Sequence, residues 1–335
     1  MTASPMPRTS ATDGRTSVMP LVRRRSRTAA VGALVVAGAL LVAGCGDQTK
    51  DKDTGASSTG GGKSASSAPL ASKLPQDIRD KGIIKVGSDI AYAPVEFKDD
   101  KGNTAGIDPD IAAALGDVLG VKFEFENGTF DTLITGLRSK RYDIAMSAMT
   151  DTKDRQNGID ADTGKKVGEG VDFVDYFNAG VSIYTPKGKT EGIKTWDDLC
   201  GKKITVERGT ISDDLAKAQS KECPAGKKIT IEAFDNDQQA QTRLRSGGAD
   251  AGSSDYPVAA YTVQTSGGGK DFEMVGDQVQ AAPYGIAVGK SNPQLRDAIK
   301  AAMDQIIKDG TYGKIIARWK VTDGAVKQAT VNGGK

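Results

Sequence analysis

At 335 residues the chain is longer than one hydrophobic core ordinarily supports, so two lobes are expected. Its formal charge of +2 falls to −3 without residues 1–45, which hold six Arg and one Asp, and this balance gives no support for nucleic-acid binding. The chain has no histidine, which excludes Ser-His and Cys-His catalysis and removes the commonest metal ligand. We therefore expect no metal site and no cofactor.

Residues 1–45 have the pattern of an export signal. The arginine-rich segment 23–27 precedes an apolar run at 29–44, which is short for a membrane span, and small residues lead up to Cys45. The sequence LVAGC at this point resembles the lipobox of bacterial lipoproteins, in which the cysteine becomes the lipidated first residue of the mature chain. An ordinary signal with an incidental cysteine is the alternative.

The segment that follows, 46–76, predicts a flexible tether. Up to residue 70 it consists almost wholly of Gly, Ser, Thr and charged residues, which cannot bury a core. A flexible chain of about 25 such residues spans roughly 25–30 Å. With lipid on Cys45, we expect the folded part to lie at the extracytoplasmic face of the cell membrane.

Strand-like and helix-like segments alternate from residue 77 on. Short apolar runs predict strands, and apolar residues that recur every three or four positions predict helices. The first series predicts strands at 83–88, 121–126 and 142–147 and helices at 107–118 and 130–140. Strands joined by helices over short connections form a parallel sheet, so the predicted fold class is α/β.

A second series of the same kind begins near residue 183. It predicts strands at 202–207, 227–234 and 249–254, and helices at 212–221, at 236–246 and from Pro257 on. Ser212 is the predicted N-cap of its helix. A strand at 283–288, a long amphipathic helix over 295–306 and a shorter helix ending near Trp319 follow. The tail, 322–335, is expected to be loosely ordered.

Cys200 and Cys223 form an even pair if Cys45 carries lipid. In an oxidising compartment such a pair favours a disulfide, and two free thiols are the alternative. The bond would close a loop of about 22 residues and contribute roughly 3 kcal/mol in the chain-entropy account. The spacing of these cysteines matches no zinc motif.

Six segments of the folded part occur in an order that matches a known family. They are GSDIAYAPVEF (87–97), GIDPDIAAALGDVLG (106–120), LITGLRSKRYDIAMSAMTDTKDRQ (133–156), WDDLCGKKITVERGT (196–210), GGADAGSSDYPVAA (247–260) and YGIAVGKSNPQLRDAIKAAMDQIIKDGTYGKIIARW (284–319). Together they resemble the extracellular solute-binding proteins of family 3, the amino-acid receptors of ABC importers. The resemblance covers roughly residues 77–321.

The resemblance implies a two-lobed fold of the type II periplasmic-binding-protein class, with the ligand cleft between the lobes. Two hinge segments should cross between the lobes, near 182–184 and near 284–287. Lobe 1 is then formed by 77–182 and 286–321, lobe 2 by 183–285, and 322–335 is a C-terminal tail.

The resemblance also implies which residues hold the two charged ends of an amino acid. Arg155 is the expected partner of the carboxylate, because its planar fork fits that group, and Ser147, Thr150 and Thr210 can add hydroxyl bonds. Asp255 matches the aspartate that holds the α-ammonium. The alternatives are a solvated helix charge for Arg155, an N-cap for Asp255, and simple caps for Ser147 and Thr150.

Further positions are expected around the ligand side chain. Tyr92 and Phe130 match flanking aromatic positions, and ordinary core aromatics are the alternative. Ala148 stands where the family has a second serine, so one hydroxyl contact is lost or replaced by backbone. Ile211 and Ser212 complete the edge that lobe 2 contributes.

Two acids bear on ligand selectivity. Asp89 matches a position that meets the distal nitrogen of the ligand in receptors for basic amino acids and glutamine. Glu207 departs from the family pattern. If its side chain faces the cleft, it would favour a cationic ligand side chain; the alternative is that it points to solvent. A polar, Gly-rich insertion at 157–170 is expected to be a surface loop.

The resemblance implies a monomeric, non-enzymatic receptor with a free amino acid as its ligand. It would bind a polar amino acid (arginine, lysine, ornithine or glutamine) by lobe closure and deliver it to the permease and ATPase of an ABC importer. One alternative is an extracytoplasmic enzyme of the cyclic-carboxylate dehydratase type, for which the presence of Asp255 is unfavourable. The other is a receptor for a different small solute.

Overall fold

The structure, a computed structural model, describes residues 68–190 and 192–335. The predicted signal, Cys45 and most of the predicted tether lie outside the described residues. Within the described ranges, no helix has both the length and the apolar character needed to cross a bilayer.

Strands and helices alternate along the described chain, as the sequence pattern predicts. The strands are β1 (Ile83–Ser88), β2 (Phe97–Lys98), β3 (Thr104–Ala105), β4 (Lys122–Asn127), β5 (Ile144–Ala145), β6 (Val171–Pro186), β7 (Lys203–Glu207), β8 (Thr230–Phe234), β9 (Ala251–Asp255), β10 (Phe272–Gly289) and β11 (Ala325–Val331). The α-helices are α1 (Gln76–Lys81), α2 (Ile107–Leu119), α3 (Leu133–Arg138), α4 (Lys153–Asn157), α5 (Ile211–Glu222), α6 (Asp237–Arg245), α7 (Tyr256–Thr265), α8 (Pro293–Lys308) and α9 (Thr311–Arg318).

The main sheet contains two groups of parallel strands, which are joined by a pair of long antiparallel strands. The strand order is β4-β1-β5-β10-β6-β9-β7-β8, with β1 parallel to β4 and β5, and β7 parallel to β8 and β9. Strands β6 and β10 pair along most of their length and run from one half of the sheet into the other. This arrangement confirms the predicted two-lobed α/β fold with two crossover segments.

Strand β6 changes partner along its length. Its residues 174–177 pair with β11, and its residues 181–184 pair with β9. The register of β10 against β6 shifts three times between Val275 and Gly285. The lobe boundaries given by the sequence remain a prediction.

The core of the first lobe is built from the apolar faces of α2 and α8. Ile111 and Leu115 of α2 and Ile299 and Met303 of α8 have no exposed surface, which is what their spacing of three or four residues predicts. Burying one such side chain contributes about 1.5–3 kcal/mol. Ile84 and Val86 of β1 belong to the same buried cluster.

The second lobe has its own core and carries the predicted disulfide. Leu199, Ile204 and Val206 are fully buried there. Cys200 and Cys223 are bonded, with their Cα atoms 5.5 Å apart. The bond ties the turn before β7 to the end of α5, and it confirms the pairing expected from the cysteine count.

Two local expectations were wrong. Helix α5 begins at Ile211, and its N-cap is Thr210, whose hydroxyl accepts a hydrogen bond from the Asp213 N–H at 3.3 Å. The Ser212 hydroxyl is instead 2.9 Å from the Ser253 hydroxyl. The tail is not loosely ordered, because its residues 325–331 form β11 against β6.

Candidate functional site

A cavity lies between the lobes at the carboxyl ends of β1, β5, β7 and β9. The cavity volume is about 10 Å³, and hydrogen bonds from Arg155 to Gly209 and from Asp255 to Tyr92 cross it, so the lobes are closed upon each other. Ligands of open α/β sheets bind at such strand ends. The lining residues are Asp89, Tyr92, Glu96, Phe130, Ser147, Ala148, Thr150, Arg155, Glu207, Thr210, Ile211 and Asp255.

The structure therefore brings together every residue that the sequence places at the ligand except Ser212. The Ser212 side chain is buried, and its hydroxyl is hydrogen-bonded to that of Ser253. It lies outside the lining of the cavity. The lining adds Glu96, which the sequence reasoning missed. The ligand roles themselves remain predictions.

Arg155 spans the two lobes from helix α4. The Thr152 hydroxyl caps this helix by accepting from the Arg155 N–H at 3.2 Å. The guanidinium donates from Nη1 to the Thr150 carbonyl at 2.8 Å and from Nη2 to the Gly209 carbonyl of the second lobe at 3.0 Å. It also lies 5.1 Å from the centre of the Phe130 ring. Desolvation lowers its pKa, but a guanidinium stays protonated in proteins.

Asp255 is hydrogen-bonded to two tyrosines, Tyr92 of the first lobe and Tyr284 of the second crossover segment. Its Oδ2 accepts from the Tyr284 hydroxyl at 2.7 Å, and its N–H donates to the Tyr92 hydroxyl at 2.9 Å. The side chain makes no capping bond to α7, although Asp255 occupies the N-cap position. Burial raises the pKa of Asp255 from 3.8 to about 7. A cationic group that enters the cleft would stabilise its ionised form.

Asp89 and Glu207 form a carboxyl pair contributed by both lobes. Both side chains line the cavity and interact electrostatically, and Glu207 is 3% exposed, so this residue faces the cleft and not solvent. Burial raises the pKa of Asp89 to about 6 and that of Glu207 well above its usual value. No N–H or O–H group of the described residues hydrogen-bonds to Glu207 Oε1. The pair thus offers free acceptor capacity to a cation.

Glu96 fixes the hydroxyl of Ser147. Ser147 Oγ donates to Glu96 Oε1 at 2.8 Å and accepts from the Asp89 N–H at 2.9 Å. Burial and the neighbouring Asp108 carboxyl raise the pKa of Glu96 well above its usual value. With its proton held by Glu96, Ser147 can meet a ligand only through its remaining lone pair. The one sequence signal for Glu96 is an acid within the apolar run VEF.

The backbone N–H of Ala148 is hydrogen-bonded within the protein. Ala148 adopts a left-handed conformation with φ 45°, and its N–H donates to Asp108 Oδ2 at 3.2 Å. The hydroxyl of Thr210 is also occupied, because it donates to the Glu207 carbonyl at 2.8 Å and caps α5. The Ala148 N–H and the Thr210 hydroxyl are therefore already engaged by groups of the protein.

Residues 84–322 match the family described as bacterial extracellular solute-binding proteins, family 3. This chain belongs to that family. The match spans both lobes and confirms the resemblance seen in the six sequence segments. The family description names solute binding, and the cavity between the lobes is a candidate site for it.

Proteins named for arginine are among those similar to this chain. The arginine-binding protein ArgT of Corynebacterium glutamicum is 30% identical over 266 residues, which cover 78% of this chain and 82% of that protein. The L-arginine-binding protein of Pseudomonas aeruginosa is 32% identical over 247 residues, covering 72% and 89%. The solved structure of an ancestral arginine-binding protein bound to arginine is 37% identical, with a TM-score of 0.63 and coverage of 71% and 98%.

Proposed function

We propose that this family 3 protein is a receptor that binds a basic amino acid, best exemplified by L-arginine, in the interlobe cavity and delivers it to an ABC importer permease. The observation that carries the choice of ligand is the buried Asp89–Glu207 carboxyl pair, which lacks a cationic partner among the described residues. The arginine-named relatives agree with it. Lipid on Cys45 would hold the receptor at the extracytoplasmic face of the membrane.

The three charged parts of arginine match three groups of the cavity. Arg155 keeps N–H donors for the carboxylate beyond the two that it gives to carbonyl groups. Asp255 lines the same cavity and interacts electrostatically with both Arg155 and Glu207, which supports assigning it to the α-ammonium. The guanidinium would then meet Asp89 and Glu207. Each buried charge gains an opposite partner, which offsets the cost of removing it from water.

Lobe closure follows from this assignment. The carboxylate site lies on the first lobe and Asp255 on the second, so one ligand molecule bridges both and stabilises the closed form. The narrow cavity requires the lobes to open before a ligand can enter.

Calorimetry tests the proposal. The chain from Gly46 on, without Cys45, would be unfolded, dialysed and refolded to remove carried-over ligand, and then titrated with the common amino acids and ornithine. We expect the tightest binding for L-arginine, lysine or ornithine, with Kd in the micromolar range or below, or about −8 kcal/mol. Preference for a neutral or acidic amino acid contradicts the basic-ligand assignment. The absence of measurable binding to any of these amino acids contradicts amino-acid binding.

The affinity for L-arginine is expected to rise as the pH increases from about 5 to 8. Burial places the pKa of Asp255 at about 7 and that of Asp89 at about 6, so at pH 5 the ligand must displace protons from both. Each released proton contributes up to about tenfold in affinity per pH unit. Titrations in buffers of different ionisation enthalpy count the protons, and binding without proton release would contradict the assignment.

The ligand-free protein should show the opposite dependence. A carboxyl whose folded pKa exceeds its unfolded value stabilises the fold at low pH, and the contribution is lost as the pH rises through the folded pKa. The melting temperature without ligand is therefore expected to fall between pH 5 and 8, and the increase given by arginine should be larger at pH 8. The carboxyls with pKa values raised to about 6 or 7 are Asp89, Asp108, Asp175, Asp214, Asp237 and Asp255.

The insertion at 157–170 is expected to slow ligand release. Asp162 Oδ2 lies 2.6 Å from Lys217 Nζ on helix α5, so the insertion joins the first lobe to the second across the cleft. Asp162→Asn should raise the dissociation rate of L-arginine about two- to fivefold, the effect of losing a partly exposed ion pair. Stopped-flow measurement checks this, with the exposed Asp100→Asn as control. Equal dissociation rates for Asp162→Asn and the parent would show that the insertion does not stabilise the closed form.

A further inference from the structure

The last residues of the chain pack against the segment that carries Arg155. The family match ends at residue 322, and strand β11 (325–331) and the four residues after it lie beyond that match. Their composition suggests a loose tail, yet Gly334 is buried. These terminal residues therefore belong to the structure around the cleft.

Two of the terminal residues hold the chain on either side of Thr152. The Gly334 N–H donates to Asp151 Oδ2 at 2.8 Å, and the Lys335 carbonyl accepts from the Lys153 N–H at 3.2 Å. Thr152 between them is the N-cap that accepts from the Arg155 N–H. A helix as short as α4 is unstable alone, so tertiary contacts must set its position.

The tail also supplies donors to buried carboxyls beneath this segment. Thr330 Oγ and the Gly333 N–H donate to Asp175 Oδ2 at 2.6 and 2.9 Å. The carboxyl of Asp151, which has no exposed surface, is close enough to that of Asp175 to join burial, the larger cause, in raising the pKa of Asp175 to about 6. Without these donors, both carboxyls would have to find water or move.

The contact leaves no space for a side chain at Gly334. A Cβ atom there would lie 2.0 Å from the Asp151 carbonyl oxygen, which belongs to the backbone and cannot yield without moving the segment. Gly334 is not among the residues with positive φ, so alanine at this position tests the contact and not backbone strain.

We propose that residues 332–335 are a positioning element for the ligand carboxylate: by holding Asp151 and Lys153, they fix the cap and the helix from which Arg155 reaches into the cleft. The hydrogen bonds described for residues 332–335 go to Asp151, Lys153 and strand β6, and not to residues that line the cavity. The inference rests on the proposed function in one respect, namely that Arg155 binds the carboxylate of the ligand.

The test compares two probes that differ only at the carboxylate, L-arginine and L-argininamide, in the chain from Gly46 on. Gly334→Ala and a chain that ends at Val331 should each lose about tenfold or more in affinity for L-arginine, and much less for L-argininamide. The matched control is Gly313→Ala on α9 in the same lobe, where an added Cβ meets nothing within 4 Å. Equal losses for both probes would mean a general structural defect and would overturn the proposal.

Hydrogen exchange provides a readout that needs no ligand. The amides of residues 151–157 should exchange at least about tenfold faster in Gly334→Ala than in the parent and in Gly313→Ala, while the rest of the first lobe is unchanged. Unchanged exchange there overturns the positioning role. If the parent does not bind L-arginine, the proposed ligand is wrong, and hydrogen exchange of residues 151–157 then tests the positioning role of the tail without a ligand. If the shortened chain does not fold, Gly334→Ala carries the test.

Discussion

Replacing Asp255 with asparagine is expected to abolish the binding of L-arginine while the protein stays folded. Asparagine has the same shape, and its carbonyl oxygen can still accept from the Tyr284 hydroxyl, but it offers no charge to the α-ammonium. Leaving one partner of a buried ion pair uncompensated costs roughly 3–5 kcal/mol, which corresponds to about a 100- to 4,000-fold loss of affinity. Calorimetry on the refolded variant measures this loss.

Arg155→Ala should produce a loss of similar size for the same reason at the other end of the ligand. Arg155→Lys keeps the charge but loses the planar fork and the bond that reaches the Gly209 carbonyl, so an intermediate affinity is expected. The exposed Asp100→Asn serves as control, and circular dichroism verifies that each variant is folded. Near-normal affinity in Asp255→Asn or in Arg155→Ala would refute the bound orientation proposed for the amino acid.

The positions of the cleft residues could be predicted because each follows a recognisable strand. Asp89 follows β1, Ser147 follows β5 and Asp255 ends β9, and the carboxyl ends of parallel strands meet at one edge. Hydrophobic periodicity sufficed to find those strands, and family motifs supplied the roles. The orientation of Glu207 could not be derived in this way, because it depends on the carboxyl of Asp89 in the other lobe.

The place of Glu96 in the cavity lining and the order of the tail were not predicted, for a common reason. Their importance lies in hydrogen bonds to residues far away in the chain: Glu96 to Ser147, and Gly334 to Asp151, 183 positions apart. A polar residue in a short or Gly-containing segment looks solvated until its buried partner is known. The cap of α5 shows the same limit on a smaller scale, since Thr210 and Ser212 are both good caps and the nearby Ser253 hydroxyl engages the second.

Glu207→Gln is expected to change the selectivity of the receptor from L-arginine towards L-glutamine. The neutral amide cannot compensate the positive charge of a guanidinium. It can, however, donate to the side-chain oxygen of glutamine, whereas an ionised carboxyl pair repels that oxygen. The loss of one charge-assisted bond predicts about a tenfold or greater fall in arginine affinity. Titration with both amino acids at pH 8, where the pair is closest to full ionisation, gives the ratio.

Asp89→Asn distinguishes a shared role of the pair from a role of Glu207 alone. If both carboxyls contact the guanidinium, each amide variant should lose arginine affinity, and the double variant should lose less than the product of the single losses, because residues in contact couple. If only Asp89→Asn weakens binding, Glu207 serves to raise the pKa of its partner and the ligand side chain ends at the first lobe. An unchanged preference in all three variants would place the ligand side chain elsewhere, and the basic-ligand assignment would lose the observation on which it rests.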